Sequence, residues 1–334
     1  MTMITRRLFG TIAATALAAA LVTGPVMAET VTLKLNHNLP DISVTGQSFE
    51  FLAKRVGELT NGEVRIRVFH NGQLGQQRES IELVQQGALD MAKSNAAEME
   101  AFAPLFAVFN IPYIFQNGEH AKTVLKGEVG QAVLDAAADN GLVGIGFLFE
   151  GARSFYAKKP ILSPADMVGL KMRVQPSPSA IRMVELLGAQ PTPIAFGELY
   201  SALQQGVVDG AENSIGALTQ VRHGEVSKHY SLNEHTMVPA VYFMSTAAWD
   251  KLSDEQKAAV RQAARETFDI QFDAWAAEDA KERKAAEETL GVTFHDVDKA
   301  PFIAASAPMI DEAKAASPEA AALIDQIVAL AQED

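Results

Sequence analysis

Two arginines and a small set of amides and carboxylates carry the chemistry that this sequence can do. In open α/β sheets, ligands bind beyond the carboxyl ends of the strands, so the polar residues at those ends are read first. Apolar alternation marks strands that end at His37 and Asn38, at Lys93 and Asn95, at Arg173 and Gln175, and at Glu212 and Asn213. Arg153 lies just past a further strand that ends at Phe149. A guanidinium is a planar fork that matches a carboxylate with two parallel hydrogen bonds. Arg153 and Arg173 come from separate strands and point at one cleft. Arg173 is the sharper case: Leu170, Met172 and Val174 share one strand face, and Lys171 and Arg173 share the other. Ser177-Pro178 then opens a helix, and a guanidinium beside free helix N–H groups is a carboxylate site. The plainer alternative is a surface arginine paired with a neighbouring acid.

Other chemistries find little support. The chain has no cysteine, so thiol catalysis and Cys-ligated metals are excluded. His223, Glu225 and His229 resemble metal ligands, but their spacing fits no common motif and reads as solvated residues at a helix end. Gly144-Ile-Gly146 lacks the third glycine of a dinucleotide fingerprint. No nucleophile elbow and no phosphate-binding loop occurs. Neither a cofactor nor a metal is expected. Phe102, Phe106, Phe109, Tyr113 and Phe115 read as core or hinge packing, and Glu255 to Glu288 as a solvated helix face of mixed charge.

The elements that must position the arginines alternate. Strands are expected at 31–35, 64–69, 89–94, 142–149, 170–174, 207–212 and 241–245. Helices are expected at 43–59, 79–86, 119–140, 177–187 and 198–205, and from the capping box of Ser253 and Gln256 to about Leu290. Alternation of this kind is the signature of parallel sheet built from βαβ units. The N-terminus has a different character. Arg6-Arg7, an apolar run from Thr11 to Val26 and the small-residue end Val26-Met27-Ala28 make a signal peptide, of either the general or the twin-arginine type. Removing residues 1–28 leaves 306 residues with 26 basic and 41 acidic side chains, a balance of −15. That length suits two domains: 29–150 mainly one lobe, 151–240 mainly a second, and 241–334 crossing back and running on as helices. No later stretch is apolar enough to span a membrane. The acidic balance argues against nucleic acid and anionic lipid as partners.

At this level of detail the chain resembles the DctP-like solute-binding proteins of TRAP transporters, the tripartite ATP-independent periplasmic transporters. The markers are Gly72-Gln-Leu-Gly75, Leu89-Asp90, Gly151-Ala-Arg153, Gly169-Leu-Lys-Met-Arg-Val174, the run from Gly188 through Gln190-Pro191 to Tyr200, and Val208-Asp-Gly-Ala-Glu-Asn213. The resemblance implies a two-lobed periplasmic-binding-protein type of α/β fold, with mixed sheets flanked by helices and a long bracing helix near the C-terminus. It implies that Arg173 forks onto a ligand carboxylate. Arg153 would be a second cleft arginine, Asn213 would join the carboxylate site, and Phe196 would pack on the ligand. Glu212 and His235 would be a buried pair that orients Arg153, and Asn38 and Asn95 would contribute from the first lobe. The sialic-acid branch carries Glu and Arg where this chain has Asn95 and Glu98, and the latter pair suits sugar hydroxyls better. A uronate such as glucuronate or galacturonate is therefore the expected ligand, with a C4-dicarboxylate or another hydroxy or keto acid as the alternative. The implied setting is a monomeric periplasmic receptor serving TRAP membrane subunits. A periplasmic enzyme acting on sugar acids is the rival from another class, since His37 or His235 beside a carboxylate could supply an acid/base pair. A sensor subunit presenting its ligand to a receptor kinase is a third reading.

Overall fold

A computed structural model describes residues 30–332, so the expected leader at 1–28 lies outside the described residues. Eleven strands form two sheets among these residues: β1 (Val31–Asn36), β2 (Val64–Phe69), β3 (Met91–Asn95), β4 (Leu142–Leu148), β5 (Arg153–Ala157), β6 (Lys171–Val174), β7 (Gln190–Pro193), β8 (Gly210–Asn213), β9 (His229–Thr236), β10 (Ala240–Ser245) and β11 (Thr293–Asp296). The first sheet has the order β2-β1-β3-β10-β4 and the second β11-β9-β5-β8-β6-β7. Each is covered by helices on both faces. On the first sheet, one core gathers Leu33, Leu35, Phe49, Leu52, Val260 and Ala263. The opposite core gathers Phe106, Phe109, Val124, Val133 and the C-terminal residues Leu323, Ile324 and Ile327. The second sheet buries Phe155, Met172, Val184 and Phe302 on one face and Tyr156, Leu203, Tyr230 and Ala286 on the other.

Both sheets are mixed, as the family resemblance implied, although βαβ alternation by itself points only to parallel pairing. β1 runs parallel to β2 and β3, and β6 parallel to β7 and β8. β10 is antiparallel to both its neighbours, and so is β5. The cause is the chain path. β4 passes straight into β5 through residues 149–152, and β9 into β10 through 237–239, so the chain changes sheet without a crossover helix. β7, Gln-Pro-Thr-Pro, was not expected as a strand; its prolines are tolerated because it lies at a sheet edge. The helix expected over 119–140 is also two helices, Gly118–Lys126 and Glu128–Asp135. Gly127 turns the chain between them, and at Gly130 the Leu125 carbonyl would lie 2.1 Å from an added Cβ, so only glycine admits the approach.

The helix Asp254–Leu290 starts at Ser253, whose capping box with Gln256 is formed, and ends at Gly291 in the left-handed region. It braces both sheets. Val260, Ala263 and Ala264 bury against the first, and Ala286 against the second. Midway, Gln271 accepts from the Phe149 N–H at 3.0 Å and donates to the Phe149 carbonyl, which holds the β4–β5 crossing. This helix is therefore more than the solvated face read from its charges.

Candidate functional site

Arg153 heads β5 and reaches under β8. Its Nε donates to Glu212 Oε2 at 2.6 Å and its Nη2 to Glu212 Oε1 at 2.9 Å, a two-pronged pair. Nη1 donates to Asn213 Oδ1 at 2.8 Å. Both members of the pair are buried. Burial alone would raise the Glu212 carboxyl, but the Arg153 charge and the hydrogen bonds from its partners offset that and hold it down at about 2. His235 stacks on Phe155 with centroids 4.5 Å apart and places Nε2 3.5 Å from Glu212 Oε2. Burial holds this imidazole below its ordinary value.

Arg173 lies deeper than a residue on an open cleft face. It is 1% exposed. Its Nε donates to the Ile194 carbonyl at 2.9 Å, and its guanidinium lies 6.0 Å from the centre of the Phe196 ring. Nη1 is buried with no hydrogen-bond partner among the described residues. Burial pushes its pKa down, with Glu212 acting against that. A charge so placed is costly unless something pairs with it.

The helix after Arg173 is not free to take an anion. The carboxylate of Glu100, itself 7% exposed, accepts from the hydroxyls of Ser177 and Ser179 and from the Ser179 N–H at 3.4 Å. Glu100 follows β3 of the first sheet, so a residue of one lobe caps the Pro178–Leu186 helix of the other. The expectation that this helix end would bind the ligand is corrected: the chain fills it. Glu100→Ala should lower the unfolding free energy by about 1–3 kcal/mol, because the buried Ser177 hydroxyl and two half-buried Ser179 donors lose their acceptor. Urea unfolding measures this, and an unchanged midpoint would show the contact to be neutral.

Between the sheets lies a cleft of about 710 Å³. Asn38, Asn95, Gln175, Phe196, Arg153 and Asn213 all line it. Arg173, Glu212 and His235 stand behind that lining. His37 does not reach it. It is buried against Phe49, bonds His70 at 2.8 Å, and is held down at about 3 by burial, His70 and Lys93. Glu98 is likewise buried outside the cleft; Asn95 Oδ1 accepts from its N–H at 3.0 Å, and burial pushes its carboxyl up. His223, Glu225 and His229 separate: His223 is buried with Nδ1 2.8 Å from the Tyr156 hydroxyl, and His229 begins a strand rather than ending a helix.

The cleft has a wall that the sequence reading missed. Trp275, Glu278, Asp279 and Glu282 of the long helix line it, spaced three and four residues apart on one face. The signal was Trp275, a large ring in a charged stretch. Gly151, with φ of +71°, is needed at the crossing because an added Cβ would meet Trp275 Nε1 at 2.5 Å. Lys93 and Glu150 pair across the lining at 2.7 Å. Asp279 has no such partner among the described residues, and burial pushes its carboxyl up to about 6, with Glu234 adding to the effect.

Two helix-flanked mixed sheets joined by crossing strands, with buried guanidiniums at the cleft between them, define a two-lobed periplasmic-binding-protein type of protein. The profile of the bacterial extracellular solute-binding proteins, family 7 (DctP), matches residues 35–316, and the chain belongs to that family. It is 33% identical to the C4-dicarboxylate-binding periplasmic protein DctP of Rhodobacter capsulatus over 303 residues, covering 88% of this chain and 89% of that one. A TRAP periplasmic solute-binding protein from Xanthobacter autotrophicus Py2 with bound β-D-galacturonate superposes with a TM-score of 0.86 at 35% identity, over 89% of this chain and 99% of that chain. One from Anaerococcus prevotii with bound D-glucuronate gives 0.88 at 32% identity, over 91% and 99%. The protein is thus a solute-binding protein of the TRAP type, from a family that acts outside the cytoplasm. No helix among the described residues is long and apolar enough to cross a membrane.

Proposed function

We propose that this protein captures a sugar acid, a uronate such as glucuronate or galacturonate, in the periplasm and delivers it unchanged to TRAP membrane subunits. The observation that carries the reading is Arg173, a buried charge beside the cleft whose Nη1 has no partner among the described residues. A ligand carboxylate there completes its hydrogen bonding and compensates its charge. Arg153 and Asn213 extend the carboxylate site, Phe196 packs on the ligand, and Asn38, Asn95 and Gln175 read its polar groups. The uronate choice rests on the solved relatives that hold one. The DctP relative keeps C4-dicarboxylates as the second reading. Binding without catalysis is favoured because His37 and His235, the candidate acid/base residues, both sit off the cleft lining.

Titration calorimetry with glucuronate, galacturonate and succinate tests the choice, with mass spectrometry of the recovered ligand. A uronate should bind tightest and return intact; turnover of the acid would overturn the binding reading. Two short strand-to-strand crossings and the long helix join the sheets, so the lobes should close as rigid bodies. Small-angle scattering should show a smaller radius of gyration at saturating ligand, and an unchanged radius would remove closure from the account.

A further inference from the structure

We propose that Asp279, on the long helix, accepts hydrogen bonds from ligand hydroxyls and makes the cleft selective for acids with a single carboxylate. This rests on the sugar-acid reading above. The lining carries two cations, Lys93 and Arg153, and four carboxylates, Glu150, Glu278, Asp279 and Glu282. Both cations are committed, Lys93 to Glu150 and Arg153 to Glu212. Three of the carboxylates are also engaged. Glu150 holds Lys93, Glu278 pairs with Lys281 at 3.1 Å, and Glu282 accepts from Thr219 Oγ1 and from Gln220 Nε2 at 3.0 Å. Asp279 alone has neither a hydrogen bond nor an ion pair among the described residues, although it is largely withdrawn from water.

An ionised carboxylate only accepts hydrogen bonds, so the group that satisfies Asp279 must donate. A sugar hydroxyl does so. A second ligand carboxylate would set acceptor against acceptor and add like-charge repulsion from Glu278 and Glu282 on the same lining, with Arg283 acting on Asp279 in the opposite sense. The fork of Arg173 compensates one carboxylate, and no uncommitted cation on the lining remains for another.

The test compares glucuronate with glucarate, the same carbon chain carrying a carboxylate at both ends, by calorimetry at pH 7.5. Wild type should prefer glucuronate by at least about 100-fold. Asp279→Asn should shrink that ratio by about 10-fold or more, because an amide can donate to a carboxylate and carries no charge. Circular dichroism checks the fold of the variant. Equal affinity of wild type for both acids would overturn the proposal. So would an equal loss of both in Asp279→Asn, which would mark the residue as structural. A wild type that binds glucuronate well and is indifferent to the substitution sinks this proposal alone; a wild type that binds neither acid sinks the sugar-acid reading with it.

Discussion

Arg173→Ala should weaken glucuronate binding by about 30-fold to several thousand-fold while the protein stays folded. Truncating one partner of a buried, hydrogen-bonded charge pair costs roughly 2–5 kcal/mol, much of it from the charge left behind without its partner. At about 1.4 kcal/mol per factor of ten, that gives the stated range. Arg173→Lys keeps the charge but loses the planar fork, so it should recover only part of the affinity. The ligand-free protein should tolerate the change for a reason opposite to that of an exposed residue. The guanidinium is fully buried, and among the described residues its Nη1 has no partner and it donates one hydrogen bond, to the Ile194 carbonyl. Removing an uncompensated buried charge relieves a desolvation cost, so Arg173→Met should unfold at a temperature no lower than wild type. The residue is thus kept at the expense of stability, as a group that waits for its ligand. Calorimetry beside thermal unfolding decides the matter. Near-normal affinity in folded Arg173→Ala, or a large loss of stability in Arg173→Met, would remove this account.

Arg173 was legible because its signals are local. Three apolar residues on alternate positions set the strand, and Ser177-Pro178 sets the helix start, with the Ser177 hydroxyl accepting from Ala180 N–H at 3.1 Å. The same local reading placed β1, β2 and the Ser253 capping box within a residue or two. What it could not see comes from distance along the chain. Glu100, which occupies the helix end beside Arg173, lies 77 residues before Ser177. Strand direction is not encoded in apolar alternation, so the antiparallel entry of β10 was invisible. β9, His-Tyr-Ser-Leu-Asn-Glu-His-Thr, is too polar to read as a strand, yet it buries Tyr230 and Asn233 between the sheet's layers. The acidic wall failed for a related reason. Charges on a long helix read as solvated unless a second lobe is known to face them, and here only Trp275 hinted at one. Arg153 was legible as a residue but not in its setting, since Glu212 and Asn213 reach it only through the antiparallel pairing of β5 with β8.

Glu212→Gln should destabilise the protein by about 3–5 kcal/mol at pH 7, and the deficit should vanish in acid. Breaking a buried ion pair by removing one partner leaves the other charge uncompensated, which sets the size. Two donors of Arg153 end on this carboxylate, and both side chains are buried. The pH dependence follows from the direction in which the carboxyl is displaced. Glu212 is held at about 2 in the folded protein against an ordinary value of 4.5. A depressed carboxyl contributes stability that is fully present above the unfolded value and is lost as pH falls through the folded one. The window therefore runs from pH 4.5 down to about 2. A carboxyl lowered that far contributes about 3 kcal/mol, in line with the cost of the substitution. Burial lowers the His235 imidazole below its ordinary value, with Glu212 acting against that. Urea unfolding of wild type and Glu212→Gln at pH 7, 4 and 2.5 should show two curves converging as the wild-type carboxyl gains its proton. Ligand affinity at pH 7 should fall as well, because an Arg153 without its anchor no longer holds Asn213 at the cleft wall. A deficit that stayed constant down to pH 2.5 would mean that shape rather than charge makes Glu212 necessary, and Arg153 would then be positioned by packing alone.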